Sequence, residues 1–348
     1  MQCVLGVDGG NTKTIALVAA LDGRILGAGR GGCGDIYNAR SVGKTSEEAA
    51  LANIEEAITN ALNEARVQPT DLVASVFNMA GADWPEDLAL LHAAMQARGF
   101  GRSILVQNDA LGVLHDQISS SIGVSVVCGT GGAVGARAPD GRTWHSSHWQ
   151  DEVQGSHQLG QETLFALCRT ALGIDPPTSL TARVLDFLHV SSVEEVLHLF
   201  TSRNSRPHRD LGYLTPILLD EAEAGDEAAR RIVENHGRLL GQFALAAARQ
   251  VGIEGTPFAL VFAGGVFRHP SRLLAEVVTQ TVRGASPDVR PMRCRYEPIV
   301  GVLFSALEAA GVLVDEALTA KLLPTLPSAA LFSTNPEEAV IVPERESA

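Results

Sequence analysis

The sequence predicts an α/β protein built of two domains, and three observations lead to this prediction. The chain has 348 residues, more than one hydrophobic core usually organises. Its first third alternates strand-like apolar runs with helical patterns in the order β-β-β-α-β-α-β. A second unit of strand, glycine turn and strand begins near Ile122 and weakly repeats the start of the chain.

Short apolar runs separated by Asp-Gly turn signals open the chain, so we expect the first three strands to form an antiparallel meander. The predicted strands of the first half are 2–8, 14–20, 24–28, 72–79 and 103–107, and its predicted helices are 46–65, 85–98 and one from Ala110. Strands 123–128, 133–138 and 258–263 follow, with helices 159–172, 181–188, 193–201, 270–282 and 301–310 and a helical block over 210–251.

Composition and charge exclude several classes of protein. Hydrophobic residues make up 45% and charged residues 19%, the balance of a soluble globular chain. The net charge of −13 argues against nucleic acid and anionic membranes as partners. No apolar run is long enough to span a bilayer and the N-terminus lacks a signal-peptide pattern, so we expect a cytoplasmic protein. Five scattered cysteines without a CxxC pair predict neither a disulfide framework nor a zinc site.

The first glycine turn carries the strongest functional signal. A predicted strand delivers Asp8 into a two-glycine turn, and glycines let backbone N–H groups approach a phosphate closely. A carboxylate at this point suits a hydrated magnesium ion. The candidate residues for nucleotide and metal are Asp8, Gly9, Gly10, Asn11, Thr12 and Lys13. The alternative interpretation is a plain hairpin, because Asp-Gly turns are common.

Two further glycine turns follow buried strands. The strand 123–128 leads into a turn of three glycines and one threonine, and the strand 258–263 ends in two glycines ahead of a helix. A turn without side chains can pass beneath an adenine or a ribose. The candidate residues are Gly129, Thr130, Gly131 and Gly132 in the second turn and Gly264 and Gly265 in the third. Three such turns in this order predict a nucleotide-binding site.

Asp109 stands just after the predicted strand 103–107 and before a helix. On position alone, an aspartate here is most simply a helix N-cap. The functional interpretation is a carboxylate at the carboxyl end of a strand, where open α/β sheets place their ligands. The two roles can coexist, so both interpretations of Asp109 stay open on position alone.

Taken together, these segments resemble the N-acetylglucosamine kinase and BadF-type ATPase family, within the superfamily of sugar kinases, heat-shock chaperones and actin. LGVDGGNTKT is similar to the first phosphate loop of that family and CGTGG to its second. FAGGV is similar to its adenosine loop, and QNDALG resembles the segment with its catalytic acid. The resemblance extends from Val4 to Ala310.

The resemblance implies two ribonuclease-H-like (actin-like ATPase) domains with a cleft between them, and ATP and Mg²⁺ as cofactors. The implied domains are 1–115, completed by a helix at 298–312, and 116–297. Residues 313–348 are expected to be a partly mobile tail, loosely packed from Pro324, because proline, serine and glutamate are frequent there. A homodimer is expected from the resemblance and from the frequency of twofold oligomers.

The activity implied by the resemblance is ATP-dependent phosphorylation of a sugar hydroxyl, on N-acetylglucosamine or a related amino sugar. Asp109 would be the catalytic base and Asp8 the residue that holds the metal. The implied sugar-binding residues are Asn38, Asp35, Asn108, Asp151 and Glu152. Asn38 and Asp35 lie in the loop after the third predicted strand.

One stretch departs from the family pattern. The family has Gly-Asp-Glu-Gly-Ser where this chain has Gln150-Asp151-Glu152-Val153-Gln154, so the preferred sugar is left open. Histidines 145, 148 and 157 flank this stretch, and we interpret them as polar loop residues near a substrate pocket rather than as metal ligands. Two other functions stay open: an ATPase that activates a dehydratase or reductase through an iron–sulfur cluster, and a non-catalytic sensor of sugar or nucleotide.

Overall fold

The structure is a computed structural model and describes residues 1–116, 122–150, 155–203, 211–294 and 296–332. The strands are β1 (Cys3–Gly9), β2 (Thr14–Ala20), β3 (Ile25–Gly31), β4 (Leu72–Met79), β5 (Ser103–Asn108), β6 (Gly123–Cys128), β7 (Gly132–Arg137), β8 (Thr143–His145), β9 (Ala259–Ala263) and β10 (Arg290–Arg293). The helices are α1 (Ser46–Ala65), α2 (Pro85–Ala97), α3 (Asp109–Gly112), α4 (Ser156–Ala171), α5 (Ser179–Leu188), α6 (Val193–Thr201), α7 (Thr215–Ala224), α8 (Glu227–Val251), α9 (Gly265–Arg268), α10 (Leu273–Arg283), α11 (Pro298–Ala309), α12 (Glu316–Leu322) and α13 (Ala329–Phe332). None of the helices in these ranges is both long and apolar enough to cross a bilayer.

The first sheet has the order β3-β2-β1-β4-β5, and its central strands are covered by a hydrophobic core on each face. Its first three strands form the predicted antiparallel meander, and β4 and β5 run parallel to β1. Alternate residues of a strand point to opposite faces, so Leu5 and Val7 pack with α1 and α2, whereas Val4 packs with α11. The late helix α11 therefore belongs to the core of this first sheet.

The second sheet has the order β10-β9-β6-β7-β8 and repeats the topology of the first. Again a three-stranded antiparallel meander is extended by two parallel strands, here β9 and β10. The long helix α8 packs on this sheet, and its alanines and leucines share one core with the valines of β6 and β7. The weak repeat in the sequence thus corresponds to two sheets of equal topology.

Some elements differ from the prediction for local reasons. The strands β8 and β10 were not predicted, because one has three residues and the other is an edge strand with arginines at both ends. The block predicted over 210–251 is divided where Gly225 adopts a φ of 98° and ends α7, and Asp226 then caps α8.

The segment after α11 is a correction to the sequence analysis. A loosely packed tail was predicted from Pro324, and this is wrong for residues 324–332. Leu326, Leu331 and Phe332 pack, together with α12, against the core formed by α11 and the first sheet. The Ile25 N–H also donates to Thr325 Oγ1 at 3.0 Å. The polar composition belongs to residues 324–348 as a whole, whereas residues 324–332 carry the large apolar side chains that hold this part of the segment.

Candidate active site

The first glycine turn is a rigid loop at the carboxyl end of β1. The Gly10 N–H donates to the Lys13 carbonyl at 2.9 Å and closes the turn. Two neighbouring segments brace it, because the Ala80 N–H donates to the Gly9 carbonyl at 2.7 Å and the Gly34 N–H donates to the Gly10 carbonyl at 3.0 Å. The loops that follow β1, β3 and β4 therefore meet at one edge of the first sheet.

Asp8 is the last residue but one of β1 and lies at this edge with a half-buried side chain. Its pKa is raised from 3.8 to about 6, chiefly by burial; the charge of Lys13 opposes the rise and the charge of Glu297 adds to it. A carboxylate whose anion is destabilised in this way gains from a neighbouring cation. The position suits one carboxylate ligand of a hydrated Mg²⁺. Among the described residues, no three His, Cys, Asp or Glu side chains form a denser metal-binding group.

Asp109 is the first residue of α3, and the helix is capped by its neighbour. Asn108 has extended backbone angles, and its Oδ1 accepts the Ala110 N–H at 3.0 Å. The interpretation of Asp109 as the N-cap is therefore wrong. The N-cap role falls to the preceding amide, and the Asp109 carboxylate lies within the first turn.

The carboxylate of Asp109 lies in an acidic surrounding. Its pKa is raised from 3.8 to about 7, chiefly by burial and then by the charges of Asp8, Asp83 and Asp35, against the opposing effect of a hydrogen bond from the Ala110 N–H. The predicted residues Asp8, Asp35 and Asp109 are thus close enough for their charges to interact. A carboxyl group that titrates near neutral pH is able to take up and release a proton under working conditions.

Two sugar-binding candidates lie beside the first phosphate loop. Asp35 is buried, and it accepts hydrogen bonds from the Tyr37 N–H and from Asn38 Nδ2, both at 2.8 Å. Asn38 Nδ2 also donates to Asn11 Oδ1 at 3.0 Å. The structure therefore joins the candidate sugar residue Asn38 directly to the candidate nucleotide residue Asn11.

Asp83 was missed by the sequence analysis. Asn108 Nδ2 donates to its Oδ1 at 2.9 Å, and its charge acts on Asp109. It follows the carboxyl end of β4, as Asp109 follows that of β5. The rule that drew attention to Asp109 would have found Asp83 as well.

The side chain of Lys13 bonds the C-terminal segment instead of the group of aspartates. Its Nζ donates to the Phe332 carbonyl in the C-terminal segment, and burial lowers its pKa while Glu297 opposes the fall. The same segment accepts a hydrogen bond from Arg30 Nη1 to the Leu331 carbonyl at 3.1 Å. The structure thus places the loop lysine against the C-terminal segment of its own chain.

The second and third glycine turns stack on each other in the second domain. The Gly129 N–H donates to the Gly131 carbonyl at 2.9 Å, and the Ser156 N–H at the start of α4 donates to the Gly129 carbonyl at 2.7 Å. Gly264 has a φ of 96°, and a Cβ atom there would lie 2.4 Å from the Cys128 carbonyl oxygen. Only glycine allows the two turns to pack this closely.

The two phosphate-loop candidates meet across the cleft. The hydroxyls of Thr12 and Thr130 lie 3.2 Å apart and share a hydrogen bond. Asp109, Asn108, Asp8 and the loop of Asn38 lie on the first-domain side of this cleft. The predicted residues Asp151 and Glu152 lie outside the described residues.

Known proteins with similar sequences include a family of ATPases and two sugar kinases. Residues 5–306 match the model of the BadF/BadG/BcrA/BcrD ATPase family. The chain is 25% identical to the N-acetylmuramic acid/N-acetylglucosamine kinase of Clostridium acetobutylicum, over 79% of this chain and 89% of that protein. It is 23% identical to the N-acetyl-D-glucosamine kinase of Dictyostelium discoideum, over 88% of this chain and 98% of that protein.

A solved structure shares the fold. The ROK family glucokinase of Streptomyces griseus, determined with glucose and AMPPNP, superposes with a TM-score of 0.57 at 15% identity, covering 87% of this chain and 98% of the glucokinase. The predicted fold class, two α/β domains of the actin-like ATPase type, is thereby confirmed. The family match covers most of the chain, and the protein belongs to the BadF/BadG/BcrA/BcrD ATPase family.

Proposed function

We propose that this protein is an ATP-dependent kinase that phosphorylates a hydroxyl of an amino sugar, N-acetylglucosamine or a close relative. The observation that carries the proposal is Asp109, a carboxylate that titrates near neutral pH in the cleft where two phosphate-loop candidates meet. The kinase names of both curated relatives support the reaction and the class of substrate.

In the proposed reaction Asp109 accepts the proton of a sugar hydroxyl while the hydroxyl oxygen attacks the γ-phosphorus of ATP in line. The new O–P bond forms as the bond to the β-phosphate oxygen breaks, and ADP leaves. A pKa of about 7 suits this role, because the carboxylate is ionised for an appreciable part of the time and still binds a proton firmly. Most of the remaining rate enhancement would come from positioning and charge neutralisation.

The nucleotide is proposed to lie between the turns at 8–13, 129–132 and 264–265. Backbone N–H groups of the first two turns and the hydroxyls of Thr12 and Thr130 would contact its phosphates. Asp8 would hold Mg²⁺, directly or through water, and the metal would neutralise part of the phosphate charge. Lys13 is a candidate for a phosphate contact after release from the Phe332 carbonyl.

The sugar is proposed to bind on the first-domain side of the cleft. Asn38 and Asp35 form one polar edge, and Asn108 lies next to the base. An amide and a carboxylate together offer the donors and acceptors that a ring of hydroxyls requires. Asp151 and Glu152 complete the proposed set.

The wider setting is also a proposal: two domains, 1–115 with the helix near 298–312 and 116–297, in a cytoplasmic homodimer without nucleic-acid or membrane partners. The net charge of −13 supports the last point, because it repels both polyanions and anionic lipid.

The test is ADP release with Mg-ATP against N-acetylglucosamine, glucosamine, N-acetylmannosamine, N-acetylmuramic acid and glucose. We expect turnover that depends on one of these sugars, and Asp109→Asn should lower kcat by about 10²–10⁴-fold because the hydroxyl proton loses its acceptor. The affinity for ATP should stay within a few-fold of wild type. ATP hydrolysis that ignores every sugar, or no turnover at all, would contradict the proposal and favour an activating ATPase or a sensor.

A further inference from the structure

A turn of the second domain docks against the first domain beside the proposed base. Ser147 Oγ donates to Asp83 Oδ1 at 2.6 Å, and His148 Nε2 lies 3.3 Å from Asp83 Oδ2. The Asp83 side chain is only 11% exposed, so both of its oxygens are engaged away from bulk water. These contacts link residues 64 and 65 positions apart, across the cleft.

The turn that carries Ser147 is held firmly by the second sheet. The Ser146 N–H donates to the Val134 carbonyl and the Val134 N–H donates to Ser146 Oγ, both at 2.8 Å. Ser147 itself has a φ of 23°, a backbone conformation that residues other than glycine rarely adopt. The surrounding bonds therefore hold Ser147 in a strained backbone conformation that presents its hydroxyl to Asp83.

The hydrogen bonds of the Ser147 hydroxyl are complete. Its proton goes to Asp83, and its oxygen accepts from Asn108 Nδ2 at 3.3 Å and from His145 Nδ1 at 2.6 Å. Burial lowers the pKa of His145. Because the Ser147 proton is given to Asp83, we assign Nδ1 of His145 as the donor in this contact. One hydroxyl thus contacts the Asp83 carboxylate, the Asn108 amide and a ring of its own domain.

His148 is seated between two aromatic rings of the first domain. Its ring stacks on Trp84 at 5.9 Å with an interplanar angle of 10°, and it meets the edge of Tyr37 at 5.5 Å. Asp87 braces this seat. Its carboxylate accepts hydrogen bonds from the Tyr37 hydroxyl at 3.0 Å and from the backbone N–H of Trp84 at 2.8 Å. The seat is therefore braced by contacts within the first domain.

The docked turn also reaches the proposed base through Asn108. Asp83 and Ser147 hold Asn108 Nδ2, while Asn108 Oδ1 caps the helix whose first residue is Asp109. If the domains separated, Asn108 would lose its contact with Ser147, and Asp83 would lose both partners from the second domain.

We infer that Asp83, Ser147 and His148 form a latch that holds the cleft closed and, through Asn108, positions Asp109. They act as positioning residues, because their contacts run to the cap of α3 and not to a reacting atom. In the open form Asp109 would not be positioned, so the site would be complete only when the cleft is closed. This would limit ATP hydrolysis in the open form. The catalytic part of this inference rests on the proposed kinase function, whereas the closing of the cleft does not.

The latch is tested without substrate first. Small-angle scattering gives the radius of gyration, and Trp84 emission in a Trp144→Phe/Trp149→Phe background reports the stacked His148 ring. We expect Ser147→Gly combined with His148→Ala to increase the radius of gyration and to shift the Trp84 emission. The matched control is Asp140→Asn, an exposed turn residue of the same domain whose partner is Arg142. Circular dichroism checks that each variant is folded.

Kinetics then separate a latch from a general defect. Ser147→Gly relieves the backbone strain but removes the hydroxyl, so we expect kcat to fall about tenfold. The affinity for ATP should remain within twofold of wild type. His148→Gln keeps a donor for Asp83 and should restore part of the activity lost in His148→Ala.

Two results would overturn the inference: an unchanged radius of gyration in the double variant, or full kcat in Ser147→Gly. If no sugar is turned over by the wild type, the kinase proposal fails, and the scattering and fluorescence measurements still decide on the latch.

Discussion

At the scale of single residues, the cleft places several acids close together at a cost in stability. Asp109 has a pKa of about 7 and Asp8 of about 6, both raised chiefly by burial. In the unfolded chain these groups titrate near 3.8. Between these values the folded protein binds more protons than the unfolded chain, so the free energy of unfolding falls as the pH rises from about 4 to about 7.

This argument predicts that Asp109→Asn stabilises the protein while it removes activity. At pH 8 the wild type holds an unfavourable charge at this position and the variant does not, so we expect its melting temperature to be higher by ~2–4 °C. At pH 5 the wild-type carboxyl is mostly protonated and the difference should shrink. Thermal unfolding at both pH values in EDTA measures the effect without a stabilising cation.

Asp140→Asn is the control for this measurement, since Asp140 is exposed and pairs with Arg142 in a turn. Its melting temperature should not exceed that of the wild type at either pH. An Asp109→Asn variant that melts below the wild type at pH 8 would contradict the assigned environment of the carboxylate.

The sequence predicted part of this site because some signals are local. Asp8 and Asp109 lie at the carboxyl ends of strands, and that position is visible in the order of residues. The N-cap role of Asn108 was assigned to Asp109 because both residue types cap helices well, and only the backbone geometry separates them. The contacts of Asp83 with Ser147 and His148 had no local signal, because they form only when two domains meet.

At the scale of elements, the two adjacent glycines of the third glycine turn, Gly264 and Gly265, have different surroundings. A Cβ at Gly264 would lie within 2.8 Å of backbone atoms of Cys128 and Gly129, whereas a Cβ at Gly265 would meet only the end of the Arg268 side chain at 3.9 Å. Gly264 also has a φ of 96°. The first glycine is therefore required by packing, and the second is available for a ligand.

We predict that Gly264→Ala lowers the free energy of unfolding by about 2–5 kcal/mol, from overpacking and backbone strain together. Gly265→Ala should stay within about 1 kcal/mol of wild type and weaken ATP binding about tenfold if the nucleoside lies over this turn. Urea unfolding and calorimetric ATP titration measure the two effects. A Gly265→Ala variant with unchanged ATP affinity would place the nucleoside elsewhere, and a stable Gly264→Ala variant would contradict the close packing.

Elements with strong periodicity were predicted well, and those held by tertiary contacts were not. The predicted helices 46–65 and 193–201 and strands 72–79 and 123–128 agree with the structure to the residue. The composition of residues 324–348 as a whole is rich in proline, serine and glutamate, so composition alone indicated a loose tail and did not set residues 324–332 apart. Their packing depends on a hydrophobic surface that exists only after α11 has joined the first sheet.

At the scale of the whole molecule, the repeated sheet topology brings two similar hairpin turns to face each other. The turn after β1 carries Thr12 and the turn after β6 carries Thr130, and their hydroxyls meet at 3.2 Å. Each sheet alone would present one half of a phosphate site. The order of elements predicted two such halves, but the distance between them depends on how the domains dock.

The last prediction concerns this meeting point. Both threonines are exposed, and sulfur atoms in their places would need to approach by only about 1 Å to form a disulfide. We expect the Thr12→Cys/Thr130→Cys variant to crosslink under mild oxidation, to lose ATP binding when oxidised and to recover it on reduction. Each single variant is a control for the native cysteines. Because the proposed site places phosphates between these residues, Mg-ATP added before oxidation should slow the crosslinking strongly. Crosslinking at the same rate with and without Mg-ATP would mean that the nucleotide does not enter between the two turns.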